Sequence, residues 1–110
     1  MKAKLEVEAG VCGFHTSGTA VSNDEQQVTF EVSSDCEKIR NLIAALGQLP
    51  PIDAYQEINP AGESVVMSAT RRSLKGCCAG CAVPVGLFKA MQVAAGLALP
   101  MEIRVSVAAE

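Results

Sequence analysis

From Lys2 to Ala9 the chain alternates without interruption. Ala3, Leu5, Val7 and Ala9 fall on one side and Lys4, Glu6 and Glu8 on the other, which predicts a strand with one buried face. Gly10 and Gly13 bracket Val11-Cys12, so a bend is expected there, with backbone free to approach a neighbour. A second strand is predicted through Thr19 to Ser22, with an onset as early as Phe14. Asn23-Asp24-Glu25 supplies a turn, and Val28, Phe30 and Val32 mark the inner face of a third strand.

The period then changes. Ser33-Ser34-Asp35 is a run of good N-cap residues, which places a helix opening at Asp35 or Cys36. Ile39, Leu42, Ile43 and Leu46 recur at helical spacing, and Gly47 is a natural stop. Gln48 to Gly62 carries Pro50-Pro51 and Asn59-Pro60, and a loop of that length predicts a short helical turn inside it, at Ile52 to Glu57, anchored by Tyr55. Ser64 to Thr70 is read as a fourth strand. Pro84 suits the first turn of a second helix, since the N–H it lacks would have no partner there. On a helical wheel Lys89, Gln92 and Gly96 form one narrow polar stripe in an otherwise apolar segment. Met101, Ile103, Val105 and Val107 then alternate with Glu102, Arg104 and Ser106, which predicts a last strand. The order is β-β-β-α-β-α-β. Strands with one apolar face and two helices predict an α+β fold, a two-layer sandwich with both helices on one face of a mixed, mostly antiparallel sheet. The closing β–α–β unit would supply a parallel pair.

At 110 residues the chain has the size of one domain and needs no disulfide to build a core. Apolar residues make up 49% and charged residues 19%, a globular composition. A net charge of −3 and few aromatic residues argue against nucleic acid as a partner. Ala82 to Leu99 is long enough to suggest a membrane span but holds Pro84, Gly86, Lys89, Gln92 and Gly96, so a buried helix is the better reading. Met1 to Glu6 lacks the apolar stretch of a signal peptide, and the expectation is a reducing cytoplasm. Cysteines in that compartment more often bind metal or do redox chemistry than staple a fold, and their number here, five, is odd.

Three of the five lie in Cys77-Cys78-Ala79-Gly80-Cys81. Cys78 and Cys81 have the C-x-x-C spacing that brings two sulfurs to one metal or to each other. Cys81 precedes the Pro84 helix and Cys36 opens the earlier one, so two thiols are expected at helix N-termini, where a thiolate is favoured. If the helices lie side by side, those N-termini share one edge of the sheet, and the glycine-flanked Cys12 can reach it too. Four sulfurs from three segments suit a tetrahedral metal or an iron–sulfur cluster. The ligand set is Cys12, Cys36, Cys78 and Cys81, with Cys77 spare and His15, at C-x-x-H spacing from Cys12, a substitute. Arg71, Arg72 and Lys75 either line a solvated loop or balance the negative charge of such a site. An iron–sulfur cluster is preferred to zinc, in a non-enzymatic protein accessory to redox metabolism with a protein redox partner. Three other readings compete. Cys12 and Cys36 could be small buried hydrophobes. Cys78 and Cys81 could form a thiol–disulfide redox pair at a helix start. The chain could also be a metal-free interaction module, dimerising through the helix after Pro84. Cysteine catalysis with His15 is weaker, because no residue that would orient the histidine can be named.

Val11-Cys12-Gly13-Phe14, Ser34-Asp35-Cys36-Glu37-Lys38-Ile39, Cys81-Ala82-Val83-Pro84 and Ala94 to Pro100 together resemble a family of small uncharacterised proteins of anaerobic bacteria and archaea, a domain of unknown function. The resemblance spans nearly the whole chain. It implies no activity, but it does imply that Cys12, Cys36 and Cys81 form the framework, with Cys78 or Cys77 as a variable fourth group. The typical member has Cys-Pro where this chain has Cys81-Ala82.

Overall fold

The computed structural model describes residues 1–76 and 81–110. Three strands, β1 (Lys2–Glu8), β2 (His15–Val21) and β3 (Gln27–Ser34), form an antiparallel meander, and the two-residue β4 (Ile52–Asp53) extends it to the order β1-β2-β3-β4. Register follows the alternation. Leu5 pairs with Gly18 and Gly18 with Val32, while Ala3, Ala20 and Phe30 form the next row of the same face. That face carries the core. The other presents Lys4, Thr19 and Glu31 to solvent.

Four helices complete the chain: α1 (Glu37–Gly47), α2 (Ala54–Ile58), α3 (Val65–Ser73) and α4 (Val83–Ala94). Helix α1 lies on β3, α4 lies on β1 and β2, and α3 fits against both helices. Ile39, Leu42, Leu87, Met91, Val28 and Val66 are fully buried and belong to one continuous cluster. This is the expected α+β sandwich with a single helical layer. Gly86 lets α4 settle onto β1: a Cβ there would stand 2.8 Å from Leu5 Cδ1 and 2.9 Å from Val7 Cγ2.

The observed order is β-β-β-α-β-α-α-α, and two predicted strands differ. Ser64 to Thr70 is helical. Val66, Ala69 and Thr70 are its buried positions, spaced for a helix, and Ser64 caps it through Met67 N–H. The Val65-Val66 pair suggests a strand by propensity, and packing against α1 overrides it. Met101 to Val107 joins no sheet, and all of residues 101–110 are exposed. Alternation gives a segment a face but not a neighbour, so the expected parallel pair is absent among the described residues. The short helix in the long connection is present, starting at Ala54. Its anchors are the buried Ala54 and Glu57, whereas Tyr55 is half exposed. No helix among the described residues is long and apolar enough to cross a membrane.

The end of the sheet that holds the β2–β3 turn is tied by two aspartates. Asp24 Oδ1 accepts from Gln27 N–H (2.7 Å), Gln26 N–H (3.0 Å) and Ser22 Oγ (3.3 Å). Asp53 accepts from Gln26 Nε2 (2.8 Å) and caps α2 through Tyr55 and Gln56 N–H. Both carboxyls titrate below the ordinary range: Asp24 chiefly because of the Gln27 and Gln26 N–H groups, Asp53 chiefly because of the Gln26 amide and then the Gln56 N–H. A carboxyl depressed in the folded state adds stability that is present above its unfolded pKa, about 4, and is lost as pH falls through the folded value. The urea midpoint should therefore fall in acid below about pH 4. The Asp24→Asn/Asp53→Asn double variant should show a flatter acid limb than the parent. Parallel pH profiles for the two proteins would contradict this role.

Candidate metal–thiolate end of the sheet

Antiparallel pairing puts the β1–β2 loop and the end of β3 at the same end of the sheet, since Glu8 pairs with His15 and Thr16 with Ser34. Cys12 lies at the tip of that loop. Gly10 (φ 83°) and Gly13 (φ 71°) take left-handed conformations, and Gly13 N–H closes the turn on Gly10 O at 2.9 Å. Cys12 is exposed.

Cys36 follows β3 by two residues and is the N-cap of α1. Its backbone is held on both sides: its N–H donates to Ser34 Oγ (3.1 Å), and its carbonyl accepts from Arg40 N–H (2.9 Å). Ser34 Oγ in turn lies 2.7 Å from Thr16 Oγ1. The side chain of Cys36 is half buried against the core.

Cys81 precedes α4, whose N-cap is Ala82 and whose first turn holds Pro84. Gly86, near the start of α4, rests on Leu5 and Val7 in the second half of β1, whereas Gly96 beyond its end lies beside Glu25 in the β2–β3 turn. Helix α4 therefore begins at the end of the sheet that carries Cys12 and Cys36. Cys81 is half buried and also packs against the core. Lys75, on the other flank of residues 77–80, reaches the same end, because its carbonyl accepts from Lys38 Nζ in the first turn of α1 at 2.8 Å. Cys77 and Cys78 lie outside the described residues.

The helices differ in how they begin. Asp53 caps α2 and Ser64 caps α3, each with a side-chain hydrogen bond. Neither Cys36 on α1 nor Ala82 on α4 makes one. Among the described residues, the two helices whose N-cap side chain makes no cap bond are the two that start at the cysteine end, and a helix start favours an anion through its first-turn N–H groups and dipole, by roughly 0.3–1 kcal/mol when exposed. Lys38 and Arg40 lie in the first turn of α1, the latter donating to Ser34 O at 3.0 Å.

Among the described residues, no three His, Cys, Asp or Glu side chains form a group able to hold a metal. The topology thus brings Cys12, Cys36 and Cys81 to one end without assembling a ligand triad from them alone. His15 lies at the same end, its backbone hydrogen-bonded to Asp35 beside Cys36, but its side chain is on the solvent face, where Nδ1 lies 3.1 Å from Glu8 Oε1. Arg71 is paired with Glu63 at 3.2 Å on α3.

Sequence reasoning missed the most connected buried ion. Glu57 is 5% exposed and accepts from Ser64 Oγ (2.8 Å), Val65 N–H (2.8 Å) and Val66 N–H (2.7 Å), so an acid from α2 caps α3. Its role is structural. A shallow cavity of about 300 Å³ between β3, the end of α1 and Leu49 to Ile52 lies away from the cysteine end and is mostly apolar.

Searches of curated proteins and of solved structures returned no match. A family model does match, over residues 3–107, and the chain belongs to that family, a family of unknown function (DUF6951).

Proposed function

We propose that this chain is a metal–thiolate binding protein, with Cys12, Cys36, Cys78 and Cys81 as ligands. The observation that carries the reading is the convergence, at one end of the sheet, of a cysteine loop turned by two left-handed glycines and of two helix starts led by Cys36 and Cys81. Four thiolates make a strongly anionic set, and two helix N-termini are where such charge is well tolerated. Cys36 and Cys81 supply the rigid half, since both are backed by the core. The Cys12 loop, turning on two left-handed glycines, supplies the third segment. Cys78 stands three residues before Cys81, the spacing at which one segment gives two ligands.

An iron–sulfur cluster is preferred to zinc. The C-G-F, S-D-C and C-x-V-P motifs resemble those of anaerobic organisms, in which an oxygen-sensitive cluster survives. A cluster at the edge of a small cytoplasmic domain serves a redox system as an accessory, meeting a protein partner at that end.

The test is a serine series read by bound metal. Cys12→Ser, Cys36→Ser, Cys78→Ser and Cys81→Ser should each lower metal affinity by more than the roughly 10–100-fold typical of losing an outer-shell group. Cys77→Ser should retain the metal. Loss in Cys77→Ser but not in Cys78→Ser would exchange the fourth ligand. Full retention in both Cys12→Ser and Cys36→Ser would refute the three-segment site, and a reversible Cys78–Cys81 disulfide would then favour thiol–disulfide chemistry.

A further inference from the structure

The segment Met101 to Val107 has the sequence of a strand and no strand beside it. Met101, Ile103, Val105 and Val107 are 77, 48, 81 and 91% exposed, a row of large apolar side chains that one copy of the chain leaves in water. Its charges occupy the alternate positions: Arg104 Nε is 3.4 Å from Glu102 Oε1. The sheet, for its part, ends in an open edge. Among the described residues, strand β1 pairs with β2 alone, along its whole length, and its outward-facing Lys4 and Glu6 form the corresponding pair at 3.7 Å.

We infer that residues 101–107 form a parallel fifth strand on β1 of a second copy of this chain, in a reciprocal strand-exchanged dimer. The two sequences fit in one register. With Ile103 beside Leu5, Met101 falls beside Ala3 and Val105 beside Val7, so every apolar residue lies on the core face. In the same register Glu102 lies beside Lys4 and Arg104 beside Glu6, so the two ion pairs meet with opposite signs adjacent. The antiparallel arrangement that keeps Ile103 beside Leu5 sets Arg104 against Lys4 and Glu102 against Glu6, placing like charges together. With Ile103 beside Leu5, charge order therefore favours the parallel direction.

The occupant is a second copy because of how the segment leaves its own domain. After α4, Gly96 is left-handed (φ 76°), and Met101 N–H returns to Leu99 O at 2.9 Å. That three-residue turn is centred on Pro100, whose ring fixes φ and stiffens the exit. The chain beyond it makes no pairing with its own β1. Most apolar residues of α4 are already buried within the domain, so the tail and the edge are the larger unmatched surfaces. Exchange about a twofold axis uses each twice and leaves neither β1 edge open.

Sedimentation equilibrium on the full chain tests this. The full chain should be a dimer, and a chain ending at Pro100 should be a monomer with unchanged far-ultraviolet circular dichroism. Arg104→Glu and Glu6→Arg, both at exposed side chains, should each weaken the dimer about tenfold, because the symmetric dimer contains the contact twice. The double variant Glu6→Arg/Arg104→Glu again sets opposite charges across the two strands (Glu102 beside Lys4, the new Glu beside the new Arg), though like charges now follow one another along each strand, and it should recover part of the affinity lost in either single variant. A monomeric full chain, which would leave the tail to fold back on its own β1, overturns the inference. So does a dimer that survives removal of residues 101–110, which would move the contact to another face such as α4. Failure of the double variant to recover would overturn the register.

Discussion

Gly18→Ala should destabilise the domain by about 3 kcal/mol or more, at or beyond the upper end of the usual cost of overpacking. Gly18 sits mid-sheet between Leu5 on β1 and Val32 on β3. A Cβ added there would lie 2.2 Å from Glu31 O and 2.5 Å from Val32 Cα. Both are backbone atoms of the neighbouring strand, so no rotamer change relieves the contact. Relief requires β3 to move away from β2, and β3 is also the strand on which α1 packs. The comparison within the protein is Gly86, where the corresponding neighbours are side-chain methyls of Leu5 and Val7, which can turn aside. For a domain of this size a loss of about 3 kcal/mol is a drop of more than 10 °C in Tm. Urea unfolding of Gly18→Ala beside Gly86→Ala measures it. A Gly18→Ala loss below about 0.5 kcal/mol, within the range of an ordinary surface change, would contradict the assigned strand separation.

Glu57→Ala should cost about 3 kcal/mol, the second of the large effects. The carboxylate satisfies the Val65 and Val66 N–H groups and Ser64 Oγ, and Ser64 Oγ accepts from Met67 N–H at 3.1 Å. Removing it strands buried donors at the start of α3, each worth about 1–3 kcal/mol when unmet, and water entering the gap returns part of this. It also removes a negative charge from a helix N-terminus. Glu57→Gln separates shape from chemistry. Its amide keeps one acceptor oxygen but turns an NH₂ toward a donor, so about half the loss should remain. Equilibrium unfolding of the two variants gives the comparison. Equal stability of Glu57→Gln and the parent would mean that packing alone, not the hydrogen-bonded charge, holds α3.

The parts of the fold legible in the residues are those in which local pattern and tertiary burial agree. The alternation of Ala3, Leu5 and Val7 marks a strand whose inner face is covered, and Ile39, Leu42 and Leu46 mark the buried stripe of α1. Where the two part company, the reading fails. Val65-Val66 favours a strand locally, but Val66, Ala69 and Thr70 already carry the helical spacing on which α3 packs. Met101 to Val107 has the pattern of a strand without a partner in its own chain, because pairing depends on what lies alongside. Glu57 left little local trace, since a cap drawn from another helix obeys no fixed spacing. An acidic residue placed a few positions before a Ser-led apolar run was the one available signal.

The cysteine end was legible for a different reason. Placing a thiol at each of two helix starts needs only the caps and Pro84; β–β–β–α connectivity turns the start of α1 toward the first hairpin loop, and the packing of α4 on β1, with Gly86 on Leu5 and Val7, brings its start to the same end. Cap chemistry deepens the reading: Asp53 and Ser64 serve the helices away from that end, and cysteine-led starts serve the two that open onto it. Cys12 is exposed at its loop tip while Cys36 and Cys81 are backed by the core, and spacing in the sequence carries no measure of that difference.

The central claim is most directly measured by metal and sulfide content after purification without oxygen, together with the visible spectrum. Bound iron and sulfide in fixed ratio to the chain, with broad charge-transfer absorbance that is lost in Cys36→Ser, is the predicted result. Stoichiometric zinc without colour would keep the thiolate site and change its metal. Protein that folds, holds neither iron nor zinc and takes up neither when supplied under reducing conditions would contradict the account.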